Sequence, residues 1–165
     1  MSASQSNVPV APLKIACCQI APEVGRKVSN LERTASFLPE LCSSGYVFES
    51  RAEAMALSDA YEDGSTTALW SRLARDLDVH IVGGFAERYG DTLFNSSALI
   101  GPDGRMGLFR KVHLWANENL FFAPGNLGFP VFPTRHGTVA MAICYDGWFP
   151  EQLRTAGGGT CLRTN

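Results

Sequence analysis

The stretch Val139-Ala140-Met141-Ala142-Ile143-Cys144-Tyr145-Asp146-Gly147-Trp148-Phe149-Pro150-Glu151 decides how the rest of the chain is read. Its opening residues are apolar and uncharged, which predicts a strand buried on both faces and ending on a cysteine. Asp146-Gly147 breaks that strand. Pro150 suits the first position of a helix, and Glu151 complements the positive end of the helix dipole. Cys144 therefore sits at a strand-to-helix turn, where backbone N–H groups favour a thiolate and make a nucleophile. A small hydrophobe at a strand end is the alternative reading of the same cysteine.

Working outward, the 165 residues have the size of one ordinary domain, 45% hydrophobic and 18% charged. A net charge of −2 without clustered Lys and Arg argues against nucleic acid and against an acidic membrane surface. No apolar run approaches the roughly 20 residues that span a bilayer. Residues 1–12 read as a loose tail with neither the basic start nor the apolar core of a secretory signal. Five cysteines at irregular spacing suggest neither a disulfide framework nor a metal site, so a cytoplasmic, reducing setting is expected, with no metal.

Leu13 to Ile20 reads as a strand, and a short helix is expected from Ser29 or Asn30, with Leu31 and Ala35 on one face. Leu38 to Tyr46 is turn-rich and holds one carboxylate, Glu40, among mostly uncharged neighbours. From Ser65 to Leu77 the positions Ala68, Leu69, Leu73 and Leu77 have helical spacing, and Arg72, Arg75 and Asp76 fall on the outer face. Val79 to Phe85 reads as a buried strand. Leu93 to Ile100, the turn Gly101-Pro102-Asp103-Gly104 and Met106 to Arg110 form a hairpin. The order of elements indicates a layered α/β or α+β protein on a mixed sheet, in one domain.

Lys111 lies in the aromatic stretch Arg110 to Gly125, where it is either more than a solubilising charge or a snorkelling surface lysine. Glu118 is open to the reading of an exposed loop acid. His113 reads as structural, and His80 and His136 have no local partner that marks them as catalytic.

Three segments taken in order carry a resemblance: Leu-Pro-Glu-Leu around Glu40, Arg-Lys-x-His-Leu-Trp around Lys111, and Ile-Cys-Tyr-Asp-x-x-Phe-Pro-Glu around Cys144. Together they resemble the nitrilase superfamily, the carbon–nitrogen hydrolases. Cys18 to Pro22 and Asn95-Ser96-Ser97 are similar as well, so the resemblance runs from about Leu13 to Arg154. It implies a nitrilase-type αββα sandwich over residues 13–156 and a catalytic set of Glu40, Lys111 and Cys144, with Glu118 supporting. Cys144 would attack an amide or nitrile carbon and form a thioester or thioimidate, Glu40 would move protons, and Lys111 would stabilise the intermediate. Tyr46, Trp115, Phe121, Tyr145 and Trp148 are candidates for the pocket wall. No cofactor is implied.

Tyr145-Asp146 after the cysteine is more similar to the amidase and carbamoylase branches, whereas nitrilases tend to carry Trp-Glu there. A small linear amide or N-carbamoyl amine is therefore the expected substrate, and a nitrile the alternative. In the family a stretch of helix and a full strand precede the catalytic glutamate. Here residues 35–39 are too few for both, which leaves open whether Glu40 reaches Cys144. After Arg154, Gly157-Gly158-Gly159 ends the helix, residues 157–165 are expected to be irregular with a faint likeness to the next family strand, and the later half of the family domain is expected to be missing. Two readings from other classes follow: an inactive nitrilase-like fragment or interaction partner, and a thiol redox protein pairing Cys144 with Cys42 or Cys161. An intact family member would be expected to form a homo-oligomer.

Overall fold

A computed structural model describes residues 40–155 and the backbone of residues 160–164. The expected tail, the strand from Leu13 and the helix from Ser29 or Asn30 lie outside the described residues. After a turn at Glu40 come helices α1 (Arg51–Leu57) and α2 (Ser65–Leu77), then strands β1 (Ile81–Tyr89), β2 (Thr92–Gly101) and β3 (Gly104–Arg110). A 3-10 turn (Ala116–Leu120) leads to β4 (Val131–Thr134) and β5 (Gly137–Ile143). A second 3-10 turn (Cys144–Trp148), helix α3 (Pro150–Thr155) and strand β6 (Thr160–Thr164) follow.

Strands β1, β2 and β3 form an antiparallel sheet in that order. Strands β4, β5 and β6 form a second sheet, with β5 central, antiparallel to β4 and parallel to β6. A parallel neighbour needs a crossover, and α3 supplies it. The irregular end expected for residues 157–165 is thus corrected: Thr160–Thr164 pairs with Val139 to Ile143 residue by residue.

Side chains alternate across a strand, and the first sheet uses both of its faces. Phe85, Ala98 and Ile100 pack against Trp70 and Ala74 of α2. Leu99 and Phe109 face Met141 and Ile143 of β5. Helix, sheet and second sheet are therefore stacked layers, the arrangement expected of a layered α/β sandwich. Gly83 is required where α2 crosses, because a Cβ there would lie 2.7 Å from the Trp70 ring.

Helix α2 has the expected ends, but its buried stripe is shifted. Thr66, Thr67, Trp70 and Ala74 are buried, whereas Leu77 is 62% exposed and Ala68 is also exposed. Trp70 offers more area to cover than any leucine of the helix, so the helix turns to bury it. The strand expected from Val79 begins at Ile81, leaves Val79 exposed, and runs on to Tyr89. It then turns through Gly90, whose φ of 59° suits glycine, into a hairpin with β2.

Candidate active site

Asn95 on β2 and Lys111, the residue that follows β3, lie side by side. The Lys111 N–H donates to Asn95 O at 2.8 Å, so the two side chains start from paired backbone positions. Lys111 Nζ donates to Glu40 Oε1 and to Glu118 Oε1, both at 2.9 Å. Asn95 Nδ2 reaches the same two oxygens at 2.8 and 2.9 Å. Two donors and two acceptors thus close a four-cornered ring, and all four residues are buried. Lys111 is not a snorkelling surface lysine, and Glu118 is not an exposed loop acid.

Each member is held from its own element. Glu40 opens a turn in which Gly45 N–H donates to Leu41 O, and Cys42 N–H fastens that turn to Gly84 O of β1 at 3.0 Å. Glu40 therefore joins Lys111 even though few residues separate it from Thr34. Glu118 lies on the first 3-10 turn, where its Oε2 accepts from Trp115 N–H at 2.6 Å. The loop beyond returns to the strands, with Gly125 N–H on Lys111 O at 2.8 Å. A Cβ on Gly125 would meet Arg110 O at 2.0 Å, so no larger residue fits that approach.

Charge and burial compete in the ring. Burial pushes the Glu40 carboxyl above its ordinary value, against Lys111 and Asn95, which pull it down. Burial opposes the Lys111 charge as well, but Glu40 and Glu118 outweigh it and hold the ammonium above its ordinary range. Glu118 Oε1 also accepts from Tyr46 Oη at 2.9 Å. Among the described residues Oε1 of Glu40 takes two hydrogen bonds and Oε2 none.

Cys144 follows β5 directly and is half-buried, packed against the cluster formed by Leu99, Phe109, Met141 and Ile143. Its φ of 45° lies in the left-handed region, an unusual place for a side-chain-bearing residue. A 3-10 turn separates it from α3, so the strand-to-helix turn is longer than the sequence suggests. Asp146 holds that turn. Its buried carboxylate accepts from His113 N–H at 2.8 Å and lies 2.9 Å from His113 Nδ1, and Ile143 N–H approaches at 3.4 Å. Burial raises the Asp146 carboxyl, and the His113 contacts oppose the rise. The His113 ring stacks on Phe149 with centroids 3.6 Å apart. The segment that carries Lys111 is thereby clipped to the turn that carries Cys144.

Tyr46 extends the ring through its bond to Glu118. Burial first, and then the Glu118 carboxylate that accepts from it, push the Tyr46 phenol above its ordinary range. Trp115 and Tyr145 meet edge to face at 4.8 Å, leaving Trp115 52% exposed. Phe121 packs on Phe48 instead. Trp148 is 76% exposed, so among the described residues it closes no pocket. Asn95, Asp146 and His113 were not singled out as site residues by sequence reasoning. The signal for Asn95 was the polar run Asn95-Ser96-Ser97 inside an otherwise apolar strand, all three fully buried.

Among the described residues no group of His, Cys, Asp and Glu is arranged to hold a metal ion, and no helix is long and apolar enough to cross a membrane. His80 and His136 lie elsewhere, ring to ring at 5.5 Å. A depression of about 240 Å³ lined by His80, Gly101, Met106 and Arg135 opens at the other end of the first sheet, away from the ring, and no cysteine lines it.

Comparison with known proteins identifies the family. Residues 35–161 match the carbon–nitrogen hydrolase family. A protein named nitrilase from Pyrococcus abyssi is 46% identical over 118 residues, which is 72% of this chain and 45% of that protein. An N-carbamoylputrescine amidase of Oryza sativa subsp. japonica is 32% identical over 162 residues, 90% of this chain and 54% of the relative. The chain therefore spans about half the length of these relatives. Among solved structures, a Saccharomyces cerevisiae member of branch 10 of the nitrilase superfamily superposes with a TM-score of 0.73 at 23% identity, over 90% of this chain and 62% of that one. That likeness is one of fold. The αββα class expected from the sequence is the fold of this neighbour and of its carbon–nitrogen hydrolase companions. The chain belongs to the carbon–nitrogen hydrolase family, on the amidase-like branch of the nitrilase superfamily.

Proposed function

We propose that this polypeptide carries the catalytic half-site for cysteine-dependent hydrolysis of a C–N bond in a small linear amide or N-carbamoyl amine. The observation that carries the proposal is the buried ring of Glu40, Lys111, Glu118 and Asn95, in which one carboxylate oxygen is left unclaimed among the described residues. A structural ion pair gains nothing from such an oxygen. A proton-transfer group requires one.

In this reading Glu40 Oε2 takes the proton of Cys144 as sulfur adds to the carbonyl carbon. Lys111 spends two of its three protons on the carboxylates, and the third stabilises the oxyanion, with backbone N–H groups after Cys144. Glu40 returns the proton to the leaving nitrogen as the C–N bond breaks, leaving a thioester. Water then gives a proton to Glu40 and attacks, and the proton returns to sulfur as the acid departs. No cofactor takes part. The free thiols Cys42 and Cys144 fit a reducing cytoplasm. The partner in this reading is the small amide or carbamoyl substrate itself.

A nitrile is the second reading, favoured by the 46% identical relative from Pyrococcus abyssi. Ammonia release from a panel of linear amides, N-carbamoyl amines and nitriles, with Cys144→Ala as control, tests both. The amide reading requires release from amides or ureido compounds that the variant lacks. Release from nitriles alone replaces it with the second reading. No release from a folded chain supports an inactive fragment.

A further inference from the structure

Lys111 and Asn95 make the same two contacts, yet only one of them carries charge. Two carboxylates drawn to shared donors repel each other, and a single ammonium neutralises only one of them. A second cation would complete the neutralisation, but it would also pin both glutamates as anions and remove any reason for a proton to move. A neutral N–H₂ group supplies donors without charge. The amide orientation is fixed by the same argument, since the flipped form would set Oδ1 against two carboxylates. In the orientation present, Oδ1 is fully buried and has no hydrogen-bond partner among the described residues. An orphaned buried acceptor is costly, so a strand built for stability alone would carry an apolar residue here. β2 instead carries Asn95, with Oδ1 unpaired among the described residues.

We propose that Asn95 is a positioning residue, tying Glu40 Oε1 to Glu118 Oε1 so that Glu40 Oε2 stays free and the third proton of Lys111 stays available to substrate. The inference rests on the hydrolase reading and extends it to a residue that touches no reacting atom. The titratable groups facing Asn95 among the described residues are Glu40, Glu118 and Lys111, with Tyr46 behind Glu118.

The test uses Asn95→Leu and Asn95→Asp in the full chain, reading kcat and KM across pH and following the Glu40 carboxyl by NMR. Asn95→Leu is expected to lower kcat by about 10- to 100-fold with little change in KM, and to move the Glu40 midpoint upward. Asn95→Asp puts a third carboxylate in the ring and should be the weaker enzyme at neutral pH. On acidification its new carboxyl takes a proton and can donate to one glutamate, so its activity relative to Asn95→Leu should rise. A purely structural residue would not produce that crossing. Unchanged kcat and an unmoved Glu40 midpoint in Asn95→Leu overturn the proposal, as does loss of folding in both variants, which would assign Asn95 to the framework. If the parent chain hydrolyses nothing, the hydrolase reading fails by itself. The NMR midpoint still decides whether Asn95 governs Glu40.

Discussion

Two buried polar clusters grow from consecutive residues, along β2 and across the end of β3, and point to opposite faces of the first sheet. Ser96 and Arg110 contribute to one, Asn95 and Lys111 to the other. In the first, Arg110 Nε and Nη2 clasp Glu87 at 2.8 and 2.6 Å, Ser96 Oγ adds a bond at 2.5 Å, and Nη1 reaches Asn126 at 2.7 Å. Both oxygens of Glu87 are engaged, and the guanidinium also lies 4.1 Å from the Phe94 ring centroid. In the second, among the described residues, Glu40 Oε2 and Asn95 Oδ1 accept nothing. The difference teaches how to tell a rivet from a site. A closed cluster has spent its capacity on the fold, and an open one has kept some for a ligand or a proton.

The comparison breaks most sharply through substitution. Glu40→Gln should cut hydrolysis by about 10²- to 10⁴-fold, with denaturant stability unchanged or raised, because a buried carboxylate is given up. Its counterpart, Arg110→Met, should do the opposite. It leaves Glu87 charged and unpaired, which costs about 3–5 kcal/mol, while turnover per folded molecule is retained. If both variants lose stability alike and neither loses turnover, the distinction between the clusters is void. Next in size is Asp146→Ala, which frees the Cys144 turn from His113 and should cost about 1.5–3 kcal/mol in a denaturant melt. A variant as stable as the parent would mean that the clip contributes nothing.

The smallest effect is pH-dependent. The Glu40 carboxyl titrates above its ordinary value of 4.5, so the folded chain holds that proton more tightly than the unfolded chain. Stability from this group is therefore greatest below 4.5 and declines as pH rises through the raised value. Glu40→Gln lacks this decline, so its stability relative to the parent should grow across that window. Lys111, raised from 10.5, acts only in the alkaline range, where its contribution is lost as pH climbs through its own raised value. Parallel melts of the two proteins from acid to neutral pH check this, and a constant difference would contradict it.

Local signals carried much of the fold. The helix Ser65–Leu77, the β2–β3 hairpin with its Pro102-Asp103 turn, and the strand ending at Ile143 were legible because periodicity and turn residues fix them within a few positions. Glu40, Lys111, Glu118 and Cys144 were legible through their flanking motifs. The facing of α2 was not, because it depends on a groove for Trp70 that only the folded sheet provides. Nor were Asn95 and the His113–Asp146 clip, which become meaningful when residues 23 to 55 positions apart come within hydrogen-bond reach. The C-terminal strand escaped for a related reason. Thr160–Thr164 has a weak pattern of its own and is made a strand by its neighbour β5.

The most direct measurement is intact and peptide-mapped mass spectrometry of the chain during turnover of a linear amide or N-carbamoyl amine. The account predicts an acyl or carbamoyl adduct on Cys144 that forms and decays with turnover and is absent in Cys144→Ala. Hydrolysis that persists in Cys144→Ala, or an adduct that maps to Cys42 instead, would contradict it.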